Sequence, residues 1–262
     1  MTTTQQRRKI LLTFDVEEFD TAVEYNNMIE LPEQLEVSTR GMVLIKEVLE
    51  HQKVPATLFV TANYALHYQE LIKEMSGQHE VASHGYWHGT FEPADLASSK
   101  KVLEEITGKT VTGFRRARMM PVDENDLIAA GYTYNSSLNP TFLPGRYNHL
   151  DKPKLPFVKN KILNIPASVS PTLRLPLFWL SFKNFPMWLY KQLSVNTLRE
   201  HGFLNIYFHP WEFTDLSSYQ MPDYVRRYSK DVLIKRLDEY ITWLKTQGEF
   251  VTMGQFANEW KG

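Results

Sequence analysis

The chain has 262 residues, with 29 Lys and Arg against 30 Asp and Glu, a formal net charge of −1 and no cysteine. That length suits one large α/β domain with a substantial core. The near-neutral balance argues against a nucleic-acid partner, and the lack of cysteine removes disulfide and thiolate chemistry and fits a reducing compartment.

Lys9 to Phe14 reads as a buried strand, which Asp15 interrupts before a signal-peptide core could form, so no secretory signal is expected. Arg40 to His51 carries a helical stripe of Met42, Val43, Ile45, Val48 and Leu49. Ala56 to Val60 is a second strand, Ala65 to Met75 a second helix, and Glu80 to Ser83 a short strand running into His84. Leu96 to Thr107 is helical and stops at Gly108. Val111 to Phe114 reads extended, Asp123 to Ala130 helical, and Tyr132 to Ser137 extended. Prolines 153, 156, 166, 171, 176 and 186 then break the rhythm. They mark residues 145–200 as a Pro- and aromatic-rich insertion in a single domain spanning 1–262, with a strand-like Ile162 to Ile165 inside it. Phe203 to Phe208 is a strand, Asp231 to Gln247 a final amphipathic helix, and Phe250 to Met253 a last strand. No transmembrane helix is expected; the nearest candidate, Leu175 to Tyr190, contains Lys183, Asn184 and two prolines.

Strands alternating with helices imply a mainly parallel sheet, open or closed into a barrel, with the site at the carboxyl ends of the strands. Asp15, His84, Arg115 and His209 each stand at the end of a predicted strand. Asp15 and Glu17, at i and i+2, point to one side in extended backbone. His84 and His88, at i and i+4, would share a face if their segment is helical, close enough to chelate one ion. With His209-Pro210-Trp211-Glu212 they supply the parts of a hydrolytic divalent-metal site.

Each part also has a plain structural reading. Asp15 could be a cap or turn residue, His209 a core histidine, and Arg115 a surface ion pair with Arg116 as its rival. Glu18 and Asp20 read as solvated or supporting groups, and Glu212 as either structural or orienting His209. A glycosidase pairing Asp15 with Glu17 or Glu212 would leave the two histidines without work. The aromatic run of Leu177, Phe178, Trp179, Leu180, Phe185, Met187, Trp188 and Tyr190 fits a buried core, a sugar-stacking cleft wall, or a membrane-interface contact.

Five blocks, Thr13–Glu17, Ser83–His88, Gly113–Arg115, Tyr134–Ser137 and Phe208–Glu212, resemble the polysaccharide deacetylase family in order and spacing. This is the NodB-homology group of metal-dependent carbohydrate esterases, and the likeness is to its branch with an Asp-x-Glu first motif. The resemblance implies a distorted (β/α) barrel of about seven parallel strands. It implies Asp15 as catalytic base, Glu17, His84 and His88 as metal ligands, Arg115 as the arginine that orients the base, and His209 as general acid. The implied reaction removes an N-acetyl group from an amino sugar in a saccharide or its precursor. The implied divalent ion, zinc before cobalt, manganese, nickel or iron, would activate the water. The expected partner is an N-acetylated sugar, with peripheral membrane contact through residues 175–190 as an added reading and a cytoplasmic or membrane-associated location.

Two departures stand out. Arg116-Ala117-Arg118-Met119-Met120-Pro121 replaces the usual Ala-Pro, and Asn135 stands where aspartate is common. They leave two rivals open: hydrolysis of a non-sugar amide or cyclic ureide on the same fold, and a carbohydrate-binding protein without turnover.

Overall fold

The computed structural model describes residues 8–143 and 147–260. Its first strand, β1 (Lys9–Val16), alternates between two environments, as extended backbone requires. Ile10, Leu12, Phe14 and Val16 face the helices and join the main core, whereas Leu11 joins an inner cluster with Phe59, Tyr134 and Met253. Thr13 and Asp15 share the parity of Leu11, so the inner face turns from apolar to polar along the strand.

After β1 come α1 (Leu31–Gln52), β2 (Thr57–Val60), α2 (Ala62–His67), α3 (Gln69–Met75), β3 (Glu80–Ser83), α4 (Ala94–Thr107), β4 (Gly113–Phe114), α5 (Glu124–Ala129) and β5 (Tyr134–Asn135). A small hairpin, β6 (Phe142–Leu143) with β7 (Tyr147–Asn148), precedes β8 (Phe157–Lys159), β9 (Ile162–Asn164), α6 (Trp179–Asn184), α7 (Met187–His201) and β10 (Phe203–Phe208). The chain ends with α8 (Asp223–Arg226), α9 (Asp231–Leu244), β11 (Glu249–Phe250) and α10 (Met253–Glu259).

Along the path β10-β1-β2-β3-β4-β5-β9 all seven strands are parallel. Short β11 lies parallel beside the start of β1, and β8 pairs antiparallel with β9. The sheet curls into the expected distorted barrel. Its two ends meet without a regular ladder: Ser168 N–H donates to the Asn205 carbonyl at 2.9 Å, and Asn205 N–H donates to Ser168 Oγ at 2.8 Å. The Asn205 side chain completes the seam by donating to the Pro166 carbonyl at 2.9 Å.

Register sets the level of the site. Phe208 lies opposite Phe14, Val16 opposite Val60, Val60 opposite Ser83, and Ser83 opposite Phe114. The residues that follow, His209, Glu17, His84 and Arg115, therefore emerge at one end of the barrel.

Several boundaries differ from the sequence reading for identifiable reasons. Helix α1 starts at Leu31, because Pro32 sits in its first turn, where a missing N–H costs nothing. Its Gly41 packs on the segment after β10; a Cβ there would lie 1.8 Å from the Pro210 carbonyl oxygen. The expected second helix is two helices meeting at Tyr68, whose φ of −129° breaks the run. The expected last strand stops at Phe250, and Thr252 caps α10 with Gln255 in a reciprocal capping box. Within residues 145–200, β9 is a strand of the main sheet.

His79, in the turn before β3, is 8% exposed, and its Nδ1 has no hydrogen-bond partner among the described residues. Burial holds its imidazole down at about 4, against 6.5 when unhindered. Between those values the unfolded chain binds a proton that the folded chain refuses, so stability falls as pH drops through the window. His79→Gln should remove up to about 3 kcal/mol of that acid loss. Urea midpoints of parent and variant at neutral pH and near pH 4 measure it; parallel losses in both would refute the assignment.

Candidate active site

The strand ends deliver four groups to one cleft. Asp15 is the penultimate residue of β1, while His84, Arg115 and His209 directly follow β3, β4 and β10. Glu17 Oε2 lies 3.1 Å from His84 Nε2 and 3.1 Å from His88 Nε2. All three residues are buried, and their ligand atoms lie within 4.8 Å of one another. The segment carrying the two histidines is a loop, not a helix. Gly85, at φ +92°, turns the chain there, and the two rings stack at 5.8 Å. The shared-face geometry expected of a helix is thus replaced by a turn with the same outcome.

Two imidazole nitrogens and a carboxylate oxygen suit a divalent ion of intermediate softness. A tetrahedral ion with bonds of about 2.1 Å spaces its donors about 3.4 Å apart, a few tenths of an ångström from the 3.1 Å separations present. Trp211 Nε1–H donates to Glu17 Oε1 at 3.3 Å, leaving Oε2 for the histidines. Burial alone would push the Glu17 carboxyl up, but His88, His209 and His84 reverse this and hold it well below the usual carboxylate range. Burial likewise works against charge on His88, and Glu17 and Asp20 overcome it, raising the imidazole to about 9.

Asp15 is held from below. Arg115 Nη1–H donates to Asp15 Oδ1 at 2.6 Å and to Thr13 Oγ1 at 2.9 Å. Its Nε–H and Nη2–H donate to the Ser136 carbonyl and Oγ at 3.3 and 3.0 Å, and the guanidinium stacks 4.0 Å from the centre of the Phe59 ring. Arg115 is fully buried. Its rival Arg116 instead stacks on Phe91 and donates to the Pro121 carbonyl.

His209 closes the other side. Its Nε2 lies 4.0 Å from Asp15 Oδ2 and 3.9 Å from Glu17 Oε1, while Nδ1 meets Glu212 Oε1 at 2.9 Å. Glu212 also accepts the His209 backbone N–H at 2.7 Å, so the turn that follows β10 holds the histidine and its carboxylate partner together. Burial lowers the basicity of His209, but Glu17, Glu212 and Asp15 outweigh it, and the imidazole is raised overall. Its ring stacks on Trp211 at 5.1 Å and meets the edge of Trp179 at 5.5 Å.

The cleft has a volume of about 260 Å³, and Asp15, Glu17, His88, His209, Trp179 and Trp211 are among its lining residues. Glu212 is fully buried behind His209 and does not line it, which removes the glycosidase pairing with Asp15. The aromatic run divides between its readings: Leu177, Phe178 and Tyr190 are buried, Trp179 faces the cleft, and Trp188 is 71% exposed. No helix among the described residues is long and apolar enough to cross a membrane.

Glu18 is structural. It accepts from Thr61 Oγ1 and Asn63 Nδ2 and pins the start of α2. Asn135 bonds Asn164 and Ser137, so its missing charge lies among sheet residues and not in the cleft. Sequence reasoning passed over Thr13, although its position two residues before Asp15 on the same strand face is a usable signal. Ser136 stands directly after β5 in a block the sequence had singled out, whereas Asn139 and His149 carried no such signal, because loops bring them to the site.

Residues 2–118, just under half of the chain, match the family model for polysaccharide deacetylase. No curated protein matches the chain in sequence. In structure it is similar to a candidate polysaccharide deacetylase from Mycobacterium smegmatis, with a TM-score of 0.66, 19% identity, and coverage of 98% of this chain and 92% of that one. A candidate polysaccharide deacetylase from Pseudomonas aeruginosa PAO1 gives 0.70 and 16%, covering 97% and 91%. The allantoinase Puue gives 0.69 and 16%, covering 98% and 91%. At these identities the structural likenesses establish the fold. Residues 2–118 thus resemble the polysaccharide deacetylase family in sequence, and the whole chain shares the fold of these solved structures.

Proposed function

We propose that the chain is a metal-dependent hydrolase of the Asp-x-Glu branch, removing N-acetyl groups from an amino-sugar-containing saccharide or its precursor. The observation that carries this reading is the convergence of Glu17, His84 and His88 beside an arginine-paired Asp15 and a glutamate-backed His209. A divalent ion held by that trio, zinc first, would polarise the acyl oxygen and acidify water. Asp15 offers the oxygen that Arg115 leaves free, Oδ2, to take a proton from the attacking water. His209, with Nδ1 engaged by Glu212, holds a proton at Nε2 for the departing nitrogen. Trp179, Trp211 and Tyr25 line the cleft and give the apolar face of a sugar ring a surface to stack on.

The likeness to an allantoinase supports a second reading, opening of a cyclic ureide by the same groups. Elemental analysis of the untagged protein, beside a His84→Ala/His88→Ala variant, tests the metal site. Near-stoichiometric metal is expected in the parent and none in the variant. Failure of the parent to take up zinc or cobalt would overturn the reading. Acetate release from N-acetylglucosamine oligomers, set against ring opening of a cyclic ureide, then separates the two substrates.

A further inference from the structure

We infer that Asp20 and Arg118 are positioning residues that together fix the His88 ring for metal binding, an inference that rests on the metal reading of the Glu17, His84 and His88 trio. His88 is engaged at both nitrogens: Nε2 faces Glu17, and Nδ1 meets Asp20 Oδ1 at 2.6 Å. A carboxylate on Nδ1 keeps the proton there and the Nε2 lone pair free for an ion, and it stops the ring from turning over. His84 has no such support; its Nδ1 is buried without a hydrogen-bond partner among the described residues.

Asp20 is partly exposed, with 18% of its side chain accessible, and a carboxylate in that position would exchange readily between the imidazole and water. Arg118 restrains it. Its Nη2–H donates to the second oxygen of Asp20 at 3.1 Å, its Nε–H donates to Glu24 Oε1 at 2.8 Å, and its Nη1–H donates to the His88 carbonyl at 3.3 Å. One planar guanidinium thus ties the backbone of His88 to the carboxylate that holds its ring, a geometry that the point charge of a lysine does not reproduce.

The backbone supports a dedicated role. Arg118 and Met119 both stand in the left-handed region, at φ +56° and +52°. For residues with a Cβ this conformation is costly, and it persists where surrounding contacts enforce it. The turn that bears this strain folds Arg118 back across the mouth of the cleft onto Asp20. It is also the segment where the sequence departs from the usual Ala-Pro of the family it resembles.

The test is zinc affinity, measured by competition with a chromogenic chelator, for the parent, Asp20→Ala, Arg118→Met and the double variant, with unfolding curves to confirm that each is folded. Asp20→Ala should weaken binding about 10–100-fold and Arg118→Met about tenfold. The double variant should lose less than the sum of the two single losses, because both residues act on the placement of the same ring. In the zinc-loaded parent the His88 Nδ1–H proton should be visible by NMR, and it should be lost to exchange in Asp20→Ala. Arg118→Lys should recover only part of the affinity. Unchanged zinc affinity in Arg118→Met, or additive losses in the double variant, would overturn the inference while the metal reading stands. A parent that binds no zinc overturns both.

Discussion

Asp15→Asn should lower turnover about 10²–10⁴-fold and leave bound metal unchanged. The two oxygens of Asp15 have separate tasks. Oδ1 accepts from Arg115 at 2.6 Å, and Oδ2 faces the cleft, 4.0 Å from His209 Nε2. Asparagine keeps the shape and can keep an oxygen toward Arg115, but it has no basic oxygen to receive a proton. The metal trio does not include Asp15, so elemental content should hold while acetate release collapses. Undiminished acetate release from a metal-replete Asp15→Asn protein would remove Asp15 from the base role. Loss of metal alongside activity would make it a ligand instead.

Arg115→Met should cost about 3–5 kcal/mol of stability, the expected loss when one partner of a buried ion pair is deleted. Asp15 is 3% exposed and Arg115 fully buried, so the carboxylate left behind has no water to turn to. Arg115 also satisfies Thr13 Oγ1 and both oxygens of Ser136, and its guanidinium packs on Phe59. Arg115→Lys should rescue little, because an ammonium can neither reach all of these acceptors nor stack. Denaturant midpoints of the folded variants measure the effect. A change below about 1 kcal/mol would mean that the pair is solvated and dispensable.

The barrel and the main polar groups were legible in the chain because both rest on local rules. Short apolar strands alternating with helices specify a parallel sheet, and residues one step beyond such strands must appear at one end of it. Glu17, His84 and His88 converge as their spacing suggested, although the segment between the two histidines is a turn and not the helix that would give them a shared face. A glycine-led turn brings two rings together as well as a helical face does, so residue spacing predicted proximity better than it predicted conformation. The choice between Arg115 and Arg116 was harder, because adjacent residues on a strand end face opposite ways; the register of Phe114 against Ser83 and Asn135 decides it.

What stayed illegible depends on contacts distant in sequence. For Asp20 the sequence left open whether it is solvated or supporting, because its partner Arg118 lies 98 residues away. Between core and cleft wall the sequence could not choose for Trp179, because its neighbours Phe178 and Phe182 are core while its own ring borders His209. The helix that ends the chain was hidden because Phe250 and Val251 have a strand-like profile, and only the Thr252 and Gln255 caps announce the change.

The closure between β10 and the segment after β9, a few hydrogen bonds in place of a ladder, makes the barrel a split ring. Every group proposed for the chemistry stands on one side of the gap, on the unbroken run from β10 through β1, β2 and β3 to β4. Asn139 and His149, which also border the cleft, come after β5, towards the β9 end of the sheet. A split ring changes circumference at its gap first. Small movements there would adjust the width of the cleft while the spacing among Asp15, Glu17, His84 and His209 stays fixed by continuous backbone ladders. Substrate breadth and catalytic precision would then be carried by different arcs of the same hoop.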